Sequence, residues 1–223
     1  MRRGIELRAA HVHSGPLEAL HGIGLAAPAG TVTVLLGRNG SGRTTTLRAL
    51  AGTVPLTAGT VVWDGADVTR RRPRARAVAG LCFVPDRQAV FAALGVADNL
   101  RLAAPDGDFA PALAAYPEPG PLLARRAGTL SGGEQRMVAV SRALLSRARV
   151  VLVDEPAQGM SPGVAARTYA LLRGLDACVV LAEQRLPPGL RTAGPGEAAV
   201  LVHELRRGAV VFSGEAGEVR PAG

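Results

Sequence analysis

The feature that most constrains the fold is a glycine-rich turn between a strand and a helix. Residues 31–36 read TVTVLL, which is typical of a buried strand, and residues 44–51 are predicted to form a helix. Between them, GRNGSGRT fits the phosphate-loop pattern G-x-x-x-x-G-K-[ST] at every position but one. The glycines let the backbone turn so that successive N–H groups point at phosphate oxygens. An α/β fold with a phosphate-binding loop follows from this arrangement.

Every residue of this loop is a candidate nucleotide-binding position, and Thr44 is also expected to ligate Mg²⁺ through its hydroxyl. The candidates are Gly37, Arg38, Asn39, Gly40, Ser41, Gly42, Arg43, Thr44 and Thr45. Arg43 stands where the pattern has lysine. A guanidinium is larger, planar and forked, so the exchange is not conservative, although it keeps the charge that phosphoryl transfer needs. We therefore expect nucleotide binding to survive and phosphoryl transfer to be slowed.

A second motif, LSGGEQ, occupies residues 130–135 and precedes an amphipathic stretch predicted to be a helix over residues 134–147. A serine hydroxyl and backbone N–H groups at a helix N-terminus form a binding site for anions. The candidate nucleotide-binding residues here are Ser131, Gly132, Gly133 and Glu134. The tripeptide SGG alone is equally typical of a serine-capped helix after a glycine turn, whereas the full hexapeptide favours the anion site.

A third motif ends the apolar run VVLV at residues 150–153 with Asp154 and Glu155. The run is typical of a buried parallel strand, so the two carboxylates are expected at the carboxyl edge of a sheet. Asp154 is predicted to hold hydrated Mg²⁺, and Glu155 to polarise the attacking water as a catalytic residue.

Taken together, these motifs resemble those of the ATP-binding cassette (ABC) ATPases, over essentially the whole chain. The resemblance implies an α/β fold with a P-loop NTPase (RecA-like) core, an antiparallel β subdomain and a small helical lobe. It implies one domain, residues 1–223, with the core and β subdomain in residues 1–86 and 131–223 and the lobe in residues 87–130. ATP and Mg²⁺ are the implied ligands. In this family two subunits form a dimer, and the phosphate loop of one faces the LSGGEQ of the other.

Three segments look like the ATPases of branched-chain amino acid importers: residues 80–100, 157–162 and 181–184 (LAEQ). That branch has Glu-Gln where most relatives have a histidine switch, which implies a catalytic role for Gln184. Asp86 occupies the glutamine-loop position, so the resemblance implies that it is catalytic and approaches the metal. Gln88 is an alternative for that role, and a simple Pro-Asp turn is another interpretation of Asp86.

The resemblance implies an ATPase subunit of an importer for branched-chain or similar hydrophobic amino acids, peripheral on the cytoplasmic face of the cell membrane. The implied partners are a second ATPase subunit (homodimer or heterodimer), membrane permease subunits contacted through residues 91–99 and, indirectly, a substrate-binding protein. Importers of urea or amides use very similar ATPases, so the substrate stays open. A poorly hydrolysing, regulatory or structural partner subunit is the alternative function, motivated by Arg43 and Ser14.

Besides Arg43, the residue at the adenine-stacking position also departs from the family pattern, and histidines lie near it in the sequence. Ser14 stands where the family usually stacks adenine on an aromatic residue, and a hydroxyl cannot stack. His13 or His11 would offer a flat ring in its place. His21 and His203 have no evident partner in the sequence, and we predict that they are surface or turn residues.

Charge and composition limit the classes of partner. The net charge is +8, and all 26 basic residues are arginine. The densest cluster is Arg70, Arg71, Arg72, Arg74 and Arg76. It lacks the interleaved aromatic residues that stack on bases, so we predict a solvated face and no nucleic acid partner, with attraction to an anionic membrane as the alternative.

No stretch has the length of a membrane span or the character of a signal peptide. Cys82 and Cys178 are predicted to be buried free thiols.

Overall fold

The computed structural model describes residues 4–192, 194 and 196–219. Its strands are β1 (Ile5–Ser14), β2 (Leu17–Ala27), β3 (Val32–Leu36), β4 (Ala58–Trp63), β5 (Ala66–Asp67), β6 (Leu81–Val84), β7 (Val150–Asp154), β8 (Cys178–Glu183), β9 (Val200–Arg206) and β10 (Ala209–Glu215). Its α-helices are α1 (Arg43–Ala51), α2 (Pro73–Val78), α3 (Val96–Arg101), α4 (Ala110–Ala115), α5 (Gly132–Leu145) and α6 (Pro162–Arg173). Short 3₁₀ turns lie at Gly120–Leu122, Ala127–Thr129, Pro188–Leu190 and Ala216–Glu218.

The central sheet has the strand order β10-β9-β3-β8-β7-β6, and all its neighbours are parallel except β9 and β10. Parallel strands are usually covered on both faces, and β3 and β7 are buried at every residue. Side chains alternate between two cores: Val34 and Leu181 belong to one, and Leu35 and Val180 to the other. The sheet therefore separates the two cores.

Different layers cover the two faces of this sheet. Helix α5 and the short helices that precede it contribute to the core around Val34. Helix α1 and the antiparallel sheet β2-β1-β4-β5 contribute to the core around Leu35. The predicted fold class is confirmed: an α/β, RecA-like core with an antiparallel β subdomain and a small helical lobe.

Residues 87–130, as far as the structure describes them, contain α3, α4 and two 3₁₀ turns but none of the named strands. This stretch is rich in proline, and α4 is six residues long with a proline in its first turn. Proline has no N–H to donate and fits only the first turn of a helix, so the helices here are short.

Element bounds differ from the predicted ones by a few residues. Helix α5 begins two residues before the predicted residue 134 because Ser131 caps it, and it ends at Leu145. Strands β9 and β10 form an antiparallel hairpin across Arg207 and Gly208, in which Arg206 pairs with Ala209.

The prediction of a solvated arginine cluster is wrong for one member, Arg76, which is 1% exposed. Its guanidinium donates hydrogen bonds to the carbonyl oxygens of Ala49 and Leu50, at 2.9 and 2.6 Å, at the end of α1. It also donates to the carbonyls of Val68, Thr69 and Arg71. The last carbonyls of a helix have no partner within it, and Arg76 satisfies two of them. The other four arginines are exposed.

The prediction for His203 is also wrong, because this residue lies buried in β9 with two hydrogen-bond partners. Its Nε2 donates to the carbonyl oxygen of Ala26 at 3.1 Å, and its Nδ1 lies 2.8 Å from the hydroxyl of Ser213. Burial lowers its pKa, because the charged form is costly away from water.

Cys82 and Cys178 are free thiols, as predicted. Cys178 is buried, and Cys82 is half-buried. In the part of the chain that the structure describes, no helix has the length and apolarity of a membrane span.

Candidate functional site

A cavity of about 720 Å³ lies at the carboxyl ends of the central strands. The phosphate loop forms its floor, and the residues that follow β6, β7 and β8 form one wall. The start of β2 and the turn between β9 and β10 close the opposite end. The predicted residues that line it are Arg38, Asn39, Gly40, Ser41, Gly42, Arg43, Thr44, Thr45, Asp86, Asp154, Glu155 and Gln184.

The phosphate loop is anchored from two directions. The N–H of Gly37 donates to the carbonyl of Glu183 at 3.1 Å, and the N–H of Gly208 donates to the carbonyl of Ser41 at 2.9 Å. Gly42 precedes α1 with a φ of 107°, in the left-handed region, and no side chain caps the helix. The first N–H groups of α1 therefore have no helical partner and are available to an anion.

Three buried polar atoms around the loop have no hydrogen-bond partner among the described residues: Ser41 Oγ, Arg43 Nη1 and Asp154 Oδ2. Buried polar groups are nearly always paired in native proteins, so such atoms need a partner from outside the chain. A hydroxyl and a guanidinium can bind phosphate oxygens, and a carboxylate oxygen can bind a cation. The cavity thus fits a nucleoside triphosphate with a divalent metal ion.

Asp154 and Thr44, two residues that the sequence predicts as metal ligands, are hydrogen-bonded to each other in the cavity. Burial raises the pKa of Asp154, the Thr44 hydroxyl lowers it by hydrogen bonding, and the charges of Asp86 and Glu155 raise it further. A carboxylate in such surroundings is stabilised by a cation. Among the described residues, no group of three or more His, Cys, Asp or Glu side chains is arranged to hold a metal. Mg²⁺ characteristically needs only one or two carboxylates besides phosphate and water.

Glu155 is directed into the cavity by its backbone. Its φ is 48°, and its N–H donates to the carbonyl of Ala182 at 3.0 Å. A non-glycine residue in this region costs on the order of 1–3 kcal/mol and is typical of functional sites. The carboxylate accepts hydrogen bonds from Gln184 Nε2 at 3.0 Å and from Arg43 Nη2 at 3.4 Å. Gln184, a predicted catalytic residue, and Arg43 therefore both bind the same carboxylate oxygen, Oε1 of Glu155.

Arg43 is 5% exposed and also donates to Asn39 Oδ1 at 3.4 Å. Its guanidinium therefore lies between the phosphate loop and Glu155. The replacement of lysine by arginine has kept the positive charge inside the cavity and has added a contact with the neighbouring carboxylate.

Asp86 lines the cavity, whereas Gln88 does not. Gln88 is exposed and has a φ of 55°. Asp86 lies 4.0 Å from Arg48 Nη2 and 3.9 Å from Arg87 Nε, and its Oδ1 atom is buried without a hydrogen bond. Of the two candidates for the glutamine-loop role, Asp86 and Gln88, only Asp86 lines the cavity with Asp154 and Glu155.

The LSGGEQ residues do not line this cavity. Ser131 is exposed at the N-terminus of α5, where its Oγ accepts from the N–H of Glu134 at 3.3 Å. The Glu134 carboxylate accepts from the N–H of Ser131 at 2.7 Å, which completes a capping box. A Cβ on Gly133 would lie 2.5 Å from the carbonyl oxygen of Gly159, so glycine is needed for this close packing. The motif therefore lies at the surface, outside the cavity.

At the far end of the cavity, His21 is a lining residue that the sequence did not reveal. Ser14, His11 and His13, which the sequence placed near the adenine base, do not line the cavity. His21 is exposed, as predicted, but its Nδ1 lies 3.1 Å from Glu18 Oε2, a partner that the sequence did not reveal. The other oxygen of Glu18 lies 2.5 Å from His11 Nδ1. This end of the cavity has no tyrosine, phenylalanine or tryptophan among the lining residues.

A second unpredicted pair lies behind Gln184. Tyr169, in α6, donates its hydroxyl hydrogen bond to Glu183 at 2.5 Å. Burial raises the pKa of Glu183 to about 7, and the negative charge of Glu155 adds to this effect. The Tyr169 hydrogen bond and the Arg43 charge oppose it.

The profile of the ABC transporter family matches residues 20–158. The chain belongs to the ABC transporter family. It is an ATP-binding subunit of an ABC transporter. It is 34% identical over 200 residues to the "Probable branched-chain amino acid transport ATP-binding protein LivF" of Archaeoglobus fulgidus, covering 85% of this chain and 82% of the relative. It is 30% identical over 189 residues to the "High-affinity branched-chain amino acid transport ATP-binding protein BraG" of Pseudomonas aeruginosa, covering 80% and 81%.

Solved structures agree on the fold. A dimeric ATP-binding cassette in a post-hydrolysis state, bound to ADP and Pi, superposes with a TM-score of 0.81 at 19% identity. The match covers 95% of this ABC subunit and 98% of that chain. At this identity the likeness supports the cassette fold alone.

Proposed function

We propose that this ABC subunit hydrolyses ATP to drive an importer of branched-chain or other hydrophobic amino acids. The observation that carries the proposal is the similarity to LivF and BraG over at least four-fifths of the chain. Urea or another amide is the alternative substrate. The subunit is peripheral on the cytoplasmic face of the cell membrane.

In the proposed reaction, residues 37–45 and the Arg43 charge hold the triphosphate of ATP. Thr44, Asp154 and Asp86 hold Mg²⁺. When bound, Mg²⁺ neutralises negative charge on the phosphate oxygens. Glu155 orients the attacking water, and Gln184 fixes the Glu155 carboxylate through the 3.0 Å hydrogen bond. At the far end, His21 contacts the adenine base.

The proposed assembly is a dimer of ATPase subunits, either identical or different. Ser131, Gly132, Gly133 and Glu134 bind the ATP of the partner subunit, since they lie outside their own cavity. Residues 1–86 and 131–223 form the core with its β subdomain, and residues 87–130 form the lobe. Phe91 and Leu94 of the lobe are 53% and 39% exposed, which supports a permease contact there. A substrate-binding protein acts indirectly, through the permease, and no nucleic acid takes part.

Uptake by whole cells tests this function. Deleting the gene should lower the uptake of radiolabelled leucine, isoleucine and valine, and the wild-type gene should restore it. The Glu155→Gln variant should not restore it, although it is made at the same level. Unchanged amino acid uptake together with reduced urea uptake would favour the alternative substrate. No change in either would refute the importer.

A second candidate function is an ATP-binding partner subunit that hydrolyses poorly and has a regulatory or structural role. The contact between Arg43 and Glu155 favours it, because Glu155 is engaged by a cation. Turnover of the purified protein and of Glu155→Gln distinguishes the two functions. Equal turnover with intact ATP binding would support the poorly hydrolysing subunit, provided that co-purified permease subunits do not increase the rate of the wild type.

A further inference from the structure

A buried arginine joins the helix that begins at Ser131 to the edge of the ATP cavity. Arg136 is 4% exposed and lies on α5, five residues after Ser131. Its Nη1 donates to the carbonyl oxygen of Pro85 at 2.8 Å, and its Nη2 donates to that of Asp86 at 2.7 Å. Nη2 also lies 3.4 Å from Oε1 of Gln158. A forked guanidinium is suited to two neighbouring carbonyls, whereas an ammonium is not.

The electrostatic surroundings of Arg136 also point to the cavity. Burial lowers its pKa, and the negative charges of Asp154, Asp86, Glu155 and Glu183 raise it, in that order. An arginine keeps its charge under such conditions. The negative charges of these four carboxylates therefore stabilise the buried guanidinium.

The position of Asp86 depends on its backbone more than on its own carboxylate. The carboxylate has a buried oxygen without a hydrogen bond, and its nearest cations are 3.9 and 4.0 Å away. The two short hydrogen bonds from Arg136 hold the main chain at this point. Removing them would release the loop that carries Asp86.

We propose that Arg136 is a positioning residue that fixes Asp86 in the cavity and couples it to the Ser131 end of α5. The proposal rests on the proposed function, in which Asp86 holds Mg²⁺ and Ser131 binds the ATP of a partner. Five residues of helix span roughly 7.5 Å, so the exposed motif and the cavity edge are joined by one rigid element. The contact with Gln158 extends this link to the segment packed against Gly133.

Arg142 provides a matched control on the same helix. It donates from Nη1 to the carbonyl oxygen of Ala89 at 3.2 Å, and its guanidinium lies 5.2 Å from the centre of the Phe91 ring. Arg142 thus braces the same segment of chain but does not contact Asp86. A merely structural effect should be similar for both arginines.

The test uses the full chain carrying Glu155→Gln, which prevents turnover during binding measurements. Calorimetry gives the Kd of ATP with Mg²⁺ and with EDTA, and the ratio of the two is the metal enhancement. Hydrogen–deuterium exchange gives the response of residues 131–135 and of residues 37–45 to MgATP. We compare Arg136→Met and Arg142→Met, with Arg136→Lys as the variant that keeps the charge and loses the fork.

We expect Arg136→Met to lower the metal enhancement at least about threefold, or roughly 0.65 kcal/mol, with the Kd in EDTA nearly unchanged. Residues 131–135 should stop responding to MgATP while residues 37–45 stay protected, and Arg142→Met should behave as the parent. Arg136→Lys should show the same direction of change if Arg136→Met does not fold. The inference is overturned if both Arg136 variants keep the parent's enhancement and exchange response, or if Arg142→Met loses them equally. A parent that binds no ATP at all would instead overturn the proposed function.

Discussion

Replacing Arg43 by lysine should increase ATP hydrolysis, because it would release Glu155. Arg43 Nη2 lies 3.4 Å from Glu155 Oε1. A lysine ammonium ends about one bond, roughly 1.3 Å, short of the guanidinium nitrogens. The same charges would then be about 4.7 Å apart, which is longer than an ion pair. Glu155 would be free to orient water without first breaking this contact.

The size of the effect follows from the two distances. Arg43 and Glu155 are 5% and 19% exposed, so an effective dielectric constant of about 20 applies. Coulomb's law gives an attraction of about 4.9 kcal/mol at the observed distance and about 3.5 kcal/mol after substitution. The difference, about 1.4 kcal/mol, corresponds to a rise in kcat of about tenfold.

Steady-state turnover of the wild type, Arg43→Lys and Glu155→Gln checks this prediction. The KM for ATP should change less than about threefold, because both side chains carry the charge that the triphosphate requires. Asn39→Ala removes the other contact of Arg43 and leaves the contact with Glu155 in place, so it should not increase kcat. If Arg43→Lys binds ATP normally and its kcat is unchanged or lower, the contact with Glu155 does not limit hydrolysis.

Three further perturbations test other parts of the structure. His21→Ala should weaken ATP binding by about 1–3 kcal/mol, which is the range for a contact with a base. Calorimetry should show an unchanged Kd for inorganic tripolyphosphate, which has no base, and equal losses of affinity for both ligands would exclude a base contact. Burial raises the pKa of Glu183 from 4.5 to about 7, so the native state binds this proton more tightly than the unfolded chain, and stability falls as pH rises between those values. Urea unfolding of Glu183→Gln should lack that part of the slope, and an unchanged slope would contradict it. Arg76→Met should lose about 3 kcal/mol of unfolding free energy, because it removes the donor from the buried carbonyl of Leu50 and from the partly buried carbonyls of Thr69 and Arg71. The exposed Arg74→Met should change it by less than about 0.5 kcal/mol, and similar losses for both variants would contradict this reasoning.

The parts of the fold that follow from sequence are those governed by neighbouring residues. The phosphate loop was predictable because glycine spacing and an apolar run are local signals, and α1 begins within one residue of its predicted start. The helix after LSGGEQ was predictable for the same reason. Its start at Gly132 follows from the capping box of Ser131 and Glu134, which can also be recognised in sequence.

The parts that could not be predicted depend on contacts between distant residues. Arg76 is 27 residues from Ala49, and Arg136 is 51 residues from Pro85. In sequence, neither differs from an arginine on a solvated helix face. Only the folded chain shows that the first satisfies helix carbonyls and that the second holds the segment carrying Asp86.

The two departures from the family pattern act at opposite ends of one cavity, and this separates their consequences. Arg43 meets Glu155 at the phosphate end, so its effect should fall on the chemical step and hence on kcat. The absence of an aromatic residue concerns the end lined by His21, where it should alter ATP affinity and hence KM. Ser131 lies outside the cavity, so neither the arginine at position 43 nor the missing aromatic residue should affect it. In the proposed dimer, we therefore expect this subunit to complete the ATP site of its partner even when its own cavity binds weakly or turns over slowly.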